Sequence, residues 1–327
     1  MKLPPEQQLG DVGSMSCEIS DIKKKYLLLN RWVEDETAKR LHNNAMQWDQ
    51  ARLNSVKAPR AGAWLNGIPS STGNTKLSRE EFQSRVGRRL GLVLCEETAC
   101  PLCHQTMDRF GAHAESCVCG GDFTAKHNQT NLHIYKQAKT AGTMPEMEKA
   151  KLLAGGSIPN LGRRRPADTL FNSAAGIKTG KQRNRLKVAL DVGVVSPQSQ
   201  SHVVDAAREV LGAATSYTQQ KRNHQQTDAL CDEAGIDYQP LVFETFGGLC
   251  EEGFQTLKSL NRLVAVNTNA SNSEVAQRFW QIVSVDLQKA CHRAFSKRVG
   301  LRGKTLMFES ASQRFLRLNQ DETTDDT

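Results

Sequence analysis

Four side chains within eighteen residues constrain this chain more than any other stretch: Cys100, Cys103, His113 and Cys117, in the order C-x2-C, nine residues, H-x3-C. A C-x2-C pair forms a tight turn that aims two thiolates at one point. The H-x3-C pair sets an imidazole and a third thiolate about one helical turn apart. Together they complete a tetrahedral zinc shell with no open position, the pattern of a structural rather than a catalytic site. Gly111 before the histidine and Gly120-Gly121 after the last thiol supply the bends such a small module needs. The alternative is a group of buried free thiols beside an ordinary histidine, but ordered pairs this close together are uncommon by accident. Zinc is the expected cofactor.

Five of the nine cysteines (Cys95, Cys100, Cys103, Cys117 and Cys119) fall in this one segment. Clustering of that kind favours metal binding in a reducing compartment over a secreted disulfide framework. No apolar run is long enough to span a bilayer, and MKLPPEQQLGDVG is not a signal peptide. The expected location is therefore nuclear or cytoplasmic. With 327 residues, 38% hydrophobic and 24% charged, the chain has the composition of a folded protein large enough for two domains or one elaborated one. Its net charge of +8 is clumped at Lys23–Lys25, Arg88-Arg89, Arg163–Arg165, Lys178–Lys187 and Lys297–Lys304. Such clumps attract polyanions, and nucleic acid is the commonest one in those compartments.

Along the chain, residues 1–18 read as an untethered terminus. Ile19–Leu53 suits one long amphipathic helix with Leu28, Trp32, Leu41, Met46 and Trp48 as buried positions. Ser78, with Glu81 three residues on, predicts a capped helix over Arg79–Leu90, stopped by Gly91. Behind the cysteine cluster, HNQTNLHIYKQAKTAG reads as a helix closed by Gly142. KVALDVGVV is the clearest strand, since Val188, Leu190, Val192 and Val194 alternate with smaller or polar residues. From Asp205 to Gly235 the pattern is helical, PLVFETFGG is a second strand, and two helices follow Gln255. In the longer of these, Val275, Phe279, Ile282, Leu287, Cys291 and Phe295 form a core stripe. The tail DETTDDT is acidic and reads as disordered. These divisions give a helical region at 1–92, a zinc module at 93–128, a mixed α/β core at 129–255 and C-terminal helices with the tail at 256–327.

Two extended runs each carry an aspartate beside small residues. Asp168 opens one and Asp191 sits in the middle of the other, with a loop of basic and glycine residues between. If the runs pair as a hairpin, both carboxylates can face one edge and share Mg2+, which takes oxygen ligands, waters and substrate phosphate. Such an ion lowers the pKa of bound water and steadies the charge on a displaced phosphate. Lys221, on the following helix, is the candidate cation for the scissile phosphate. Glu148 and Glu244 are candidates for further oxygen ligands. Ordinary loop and strand-end acids remain the alternative for all four carboxylates.

The order of motifs is more specific than any one of them. AGAWL, FQSRVGRRLGL, CPLC…DRFGAHAESC, KHN, RRPAD, ALDVGVVSP, a lysine-bearing helix and PLVFETFGG follow one another. Over roughly residues 50–255 this resembles the C-terminal part of reverse-transcriptase-like proteins of non-LTR retrotransposons. There a CCHC zinc knuckle precedes a restriction-like endonuclease of the PD-(D/E)xK superfamily. The resemblance implies a restriction-endonuclease-like mixed sheet flanked by helices, Mg2+-dependent cleavage of DNA, and a zinc module that helps hold the target. It assigns Cys100, Cys103, His113 and Cys117 as the knuckle ligands. Asp168 in RPAD becomes the first catalytic acid, Asp191 in ALDV the second, and Lys221 the lysine moved onto a helix. Gly193 stands where the simple D-x-K pattern puts that lysine, and His224 and Gln225 stand where the family pattern has a tyrosine. No YxDD-type polymerase motif is present, so the chain does not copy RNA unaided. Two functions follow as expectations: a metal-dependent DNA endonuclease, or a nucleic-acid-binding relative without catalysis, with DNA and also RNA as partners.

Overall fold

The computed structural model describes residues 19–153, 165–181 and 185–300. The N-terminal segment 1–18, Arg163 and Arg164 of the basic triplet, and the acidic tail all lie outside the described residues, as do the side chains of Lys23–Lys25.

The fold is mixed α/β. Four strands form one sheet in the order β3-β4-β5-β6, comprising Pro145–Met147, Thr169–Phe171, Lys187–Val195 and Ile236–Glu244. The first three are antiparallel neighbours, and β6 runs parallel to β5. A parallel neighbour requires a crossover. Here it is made by α6 (Val203–Arg208), α7 (Gly212–Asn223) and α8 (Thr227–Glu233).

Alternation along β5 decides what each face sees. Val188, Leu190, Val192 and Val194 enter the main apolar core with residues of α5 (Asp122–Thr140), α9 (Glu251–Thr268) and α10 (Asn272–Val299). Ala189 joins a smaller cluster with Leu170, Cys231, Ile236 and Tyr238 on the other face. Asp191 and Gly193 share the parity of Ala189, so the sheet turns them toward α7 rather than into the main core.

The expected capped helix is α3 (Arg79–Leu90). Ser78 Oγ accepts the Glu81 N–H at 3.1 Å, the Glu81 carboxylate accepts the Ser78 N–H at 2.7 Å, and Gly91 closes the helix at φ +74°. The expected helix across Ile19–Leu53 is instead two, α1 (Ile19–Asn43) and α2 (Gln47–Lys57), with Met46 extended between them. Leu28, Leu41 and Met46 are exposed, Met46 by 85%, while Trp32 and Trp48 are half-buried. Periodicity identifies which residues share a face, but not whether anything covers it.

The stretch from Asp205 to Gly235 is likewise three helices. At the first break Leu211 has φ +63°, and a Cβ on Gly212 would sit 2.1 Å from the Asp205 carbonyl oxygen, so only glycine permits the close turn from α6 into α7. At the second, Gln225 and Gln226 are both left-handed.

The regions divided by sequence pack on one another. The C-terminal helix α10 touches α3, α5, α9, the 3-10 turn Ala63–Asn66 and α4 (Ala112–Ser116) of the cysteine segment.

Candidate functional site

The four zinc candidates converge. Cys100 and Cys103 lie in the turn between β1 (Thr98–Ala99) and β2 (Thr106–Met107), His113 is on α4, and Cys117 caps its end. Their ligand atoms all lie within 4.8 Å of one another, with Cys103 Sγ to His113 Nε2 at 3.2 Å and Cys103 Sγ to Cys117 Sγ at 3.6 Å. A tetrahedral site with arms of about 2.0–2.3 Å has edges of about 3.3–3.8 Å. The donor set and spacing therefore fit a metal ion and are compatible with zinc. Among the described residues this is the only group of three or more metal-ligating side chains gathered in this way.

Between the last two ligands, Glu115 points into the protein. It is ion-paired to Arg85 at 2.7 Å and Arg88 at 3.3 Å, and accepts from Thr245 Oγ1 at 2.6 Å. Burial opposes its ionisation, but Arg88 and Arg85 outweigh burial and hold the carboxyl at about 2. Lys126 Nζ donates to the Glu115 carbonyl. The arginines of FQSRVGRRLGL are thus not a surface patch. Arg85 and Arg88 are buried against the cysteine segment, and Arg89 donates to the carbonyls of Ala61 and Val56. The basic loop is also partly committed: Lys181 pairs with Asp228 and Asp232, and Arg185 with Asp232, all on α8.

The hairpin anticipated from the aspartates forms as β4 on β5. The Asp168 N–H donates to the Leu190 carbonyl at 2.9 Å, which sets Asp168 opposite Asp191. Asp168 Oδ2 accepts from the Val192 N–H at 2.7 Å and from His127 Nε2 at 2.9 Å. Burial works against ionisation of Asp168, but the His127 hydrogen bond and charge hold its pKa below the ordinary value, and the same bond raises that of His127. Asp191 Oδ1 accepts from Lys221 Nζ at 2.6 Å, and Oδ2 accepts from the Tyr238 hydroxyl. Burial raises the Asp191 pKa despite Lys221, with the negative charge of Asp168 adding to the rise. Both carboxylates keep about a fifth of their side-chain surface open, 21% and 22%.

Lys221 lies over the strand at Gly193. A Cβ there would come within 2.9 Å of Lys221 Cε and 3.0 Å of the Tyr217 ring. The lysine of α7 thus fills the space that a side chain at position 193 would take. Asp191, Lys221, Tyr217 and Tyr238 line a cavity of about 420 Å³, rimmed by Arg165, Gln220, His224 and Gln225. Asp168 Oδ1 accepts from no described residue. Both side chains offer carboxylate oxygens, the ligand type that Mg2+ takes alongside waters and substrate phosphate.

The two glutamates stand elsewhere. Glu148 lies across from Asp168 on the neighbouring strand, its N–H donating to the Asp168 carbonyl at 3.0 Å. Its carboxylate is exposed and ion-paired to Arg165 at 2.9 Å. Glu244 pairs with Val195, four residues beyond Asp191 in register, or about 13 Å along the strand. It is fully buried and accepts from Ser55 Oγ and the Ala214 N–H, capping α7 in place of a cation ligand. His127 and Tyr238, which touch the two aspartates, carried no role in the sequence reading; only the KHN motif marked the first.

The chain matches no protein-family model, and no curated protein matches it significantly. No helix among the described residues is long and apolar enough to cross a membrane.

Proposed function

We propose that this chain is a metal-dependent DNA endonuclease domain with a restriction-endonuclease-like core, akin to those of non-LTR retrotransposon proteins. The observation that carries the proposal is the meeting of Asp191 with Lys221, 2.6 Å apart and stacked over Gly193 beside an open cavity. A lysine ammonium beside a strand carboxylate is what a phosphodiesterase needs to neutralise a phosphate held against an acidic centre. Asp168 and Asp191 would hold Mg2+, which supplies charge stabilisation at phosphate and a lowered pKa for water. Lys221 would orient the scissile phosphate, and Arg165 at the rim would bind a neighbouring one. The Tyr238 hydroxyl and the Val192 N–H fix the directions of the two carboxylates. Zinc at Cys100, Cys103, His113 and Cys117 would be structural. Reduced thiols suit the nucleus or cytoplasm.

A specific observation favours a second reading, a nucleic-acid binder that does not cut. Both oxygens of Asp191 already accept hydrogen bonds, from Lys221 and Tyr238. Plasmid nicking with chelator and Mg2+ or Mn2+ add-back separates the two. The endonuclease reading expects nicking that EDTA stops and Mg2+ restores. Salt-sensitive binding of DNA or RNA with no nicking in either metal selects the binder.

A further inference from the structure

Asp168 is held at two points by one helix. On α5, His127 Nε2 reaches Asp168 Oδ2 at 2.9 Å, and one turn later Asn131 Nδ2 donates to the Asp168 carbonyl at 3.3 Å. Asn131 is buried and its Oδ1 accepts from Thr169 Oγ1 at 2.7 Å, so the backbone at 168–169 has little freedom. With Oδ2 shared between His127 and the Val192 N–H, the carboxylate is held from two sides, and Oδ1 accepts from no described residue. The same turn of the helix is fixed by a further contact. Lys126, the residue before His127, is buried and grips the Glu115 carbonyl between the third and fourth zinc candidates.

We propose that His127 is a positioning residue for Asp168, locking Oδ2 so that Oδ1 is presented to a divalent cation. This rests on the endonuclease reading above, because it assigns Asp168 the same cation. Outer partners of ligating carboxylates typically account for 10–100-fold in metal affinity. Gln can place an amide N–H near the position of His Nε2, whereas Ala cannot.

The test is Mn2+ binding to the purified full chain, read from the loss of the free-ion EPR signal, for wild type, Asp168→Ala, His127→Ala and His127→Gln. Melting temperatures are measured alongside. The expected result is one Mn2+ lost in Asp168→Ala, at least about tenfold weaker affinity in His127→Ala, and recovery of most of it in His127→Gln. Wild-type affinity in a folded His127→Ala overturns the proposal and leaves the endonuclease reading standing. Equal weakening in both His127 variants also overturns it, since the donor would then be irrelevant. If the wild type binds no Mn2+ that depends on Asp168, the parent reading falls, and this one falls with it.

Discussion

Lys221 over Gly193 is the contact on which the chemistry turns, and it can be perturbed from either side. Lys221→Ala is expected to lower nicking by about 100-fold or more, and to cost some stability as well, because it leaves the largely buried Asp191 carboxylate without its cation. Gly193→Ala pushes on Lys221 Cε at 2.9 Å, a flexible side-chain atom, so it should fold yet nick more slowly. The double variant Gly193→Lys/Lys221→Ala returns an ammonium to the strand and should recover part of the loss in the same assay. Glu115 makes the opposite kind of prediction. Glu115→Ala leaves Arg85 and Arg88 buried without a counter-charge, and should cost about 3–5 kcal/mol in urea unfolding. At this scale the sequence marked Asp168, Asp191 and the four zinc candidates by motifs and Lys221 only by its place on the following helix; the four zinc candidates converge, and Lys221 meets Asp191. His127 and Tyr238 were not legible, because their roles depend on how α5 and β6 pack beside the aspartates. Glu244 misled for the same reason: a carboxylate at a strand end can equally cap a helix.

Elements with local signals match the sequence closely. The capping box at Ser78 is local chemistry, and Ser78→Ala should cost about 1 kcal/mol, measured by denaturant unfolding. Strand β5 was equally legible from its alternating valines. The splits at 44–46, 209–211 and 224–226 were not, since each depends on what packs there. Leu28 and Leu41 on α1 are exposed, so replacing either with Gln should change stability by less than about 0.5 kcal/mol. Had they been core, the loss would be several-fold larger. The contact of α3 with α10 carries a pH dependence. His292 bridges Ser84 of α3 at 2.6 Å and Ser296 at 2.9 Å, with Glu80, Glu81 and Arg85 facing it. Burial lowers its pKa from 6.5, and likewise that of His202 behind Tyr217. The folded state therefore favours neutral rings. The contribution of these two rings is complete above pH 6.5 and falls as the pH drops through that value toward the lower folded one. That of His127, whose pKa Asp168 raises, is instead complete below pH 6.5 and lost as the pH climbs through its higher folded value. In a His127→Gln background, melting temperatures should decline from pH 7.5 to 5.5, and adding His292→Gln should flatten that decline.

Across the whole molecule, the cysteine segment is wired into the core through Glu115, Arg85, Arg88, Lys126 and Thr245. On the zinc assignment proposed above, stripping the metal should lower the melting temperature of the entire domain in one cooperative transition, rather than release a free finger. Calorimetry before and after chelation distinguishes these outcomes. The same wiring explains why the basic clumps overstate the surface charge available to nucleic acid: Arg85, Arg88 and Arg298 are interior ion-pair partners. The nuclease reading rests on the meeting of Asp191 with Lys221, with Asp168, just before β4, facing Asp191 across the pairing. Its most direct test is the rate of plasmid nicking in Mg2+ by wild type, Asp168→Asn and Asp191→Asn, isosteric changes that spare the fold. Loss of at least about a thousandfold in both variants is the expected result; nicking by either at the wild-type rate would contradict it.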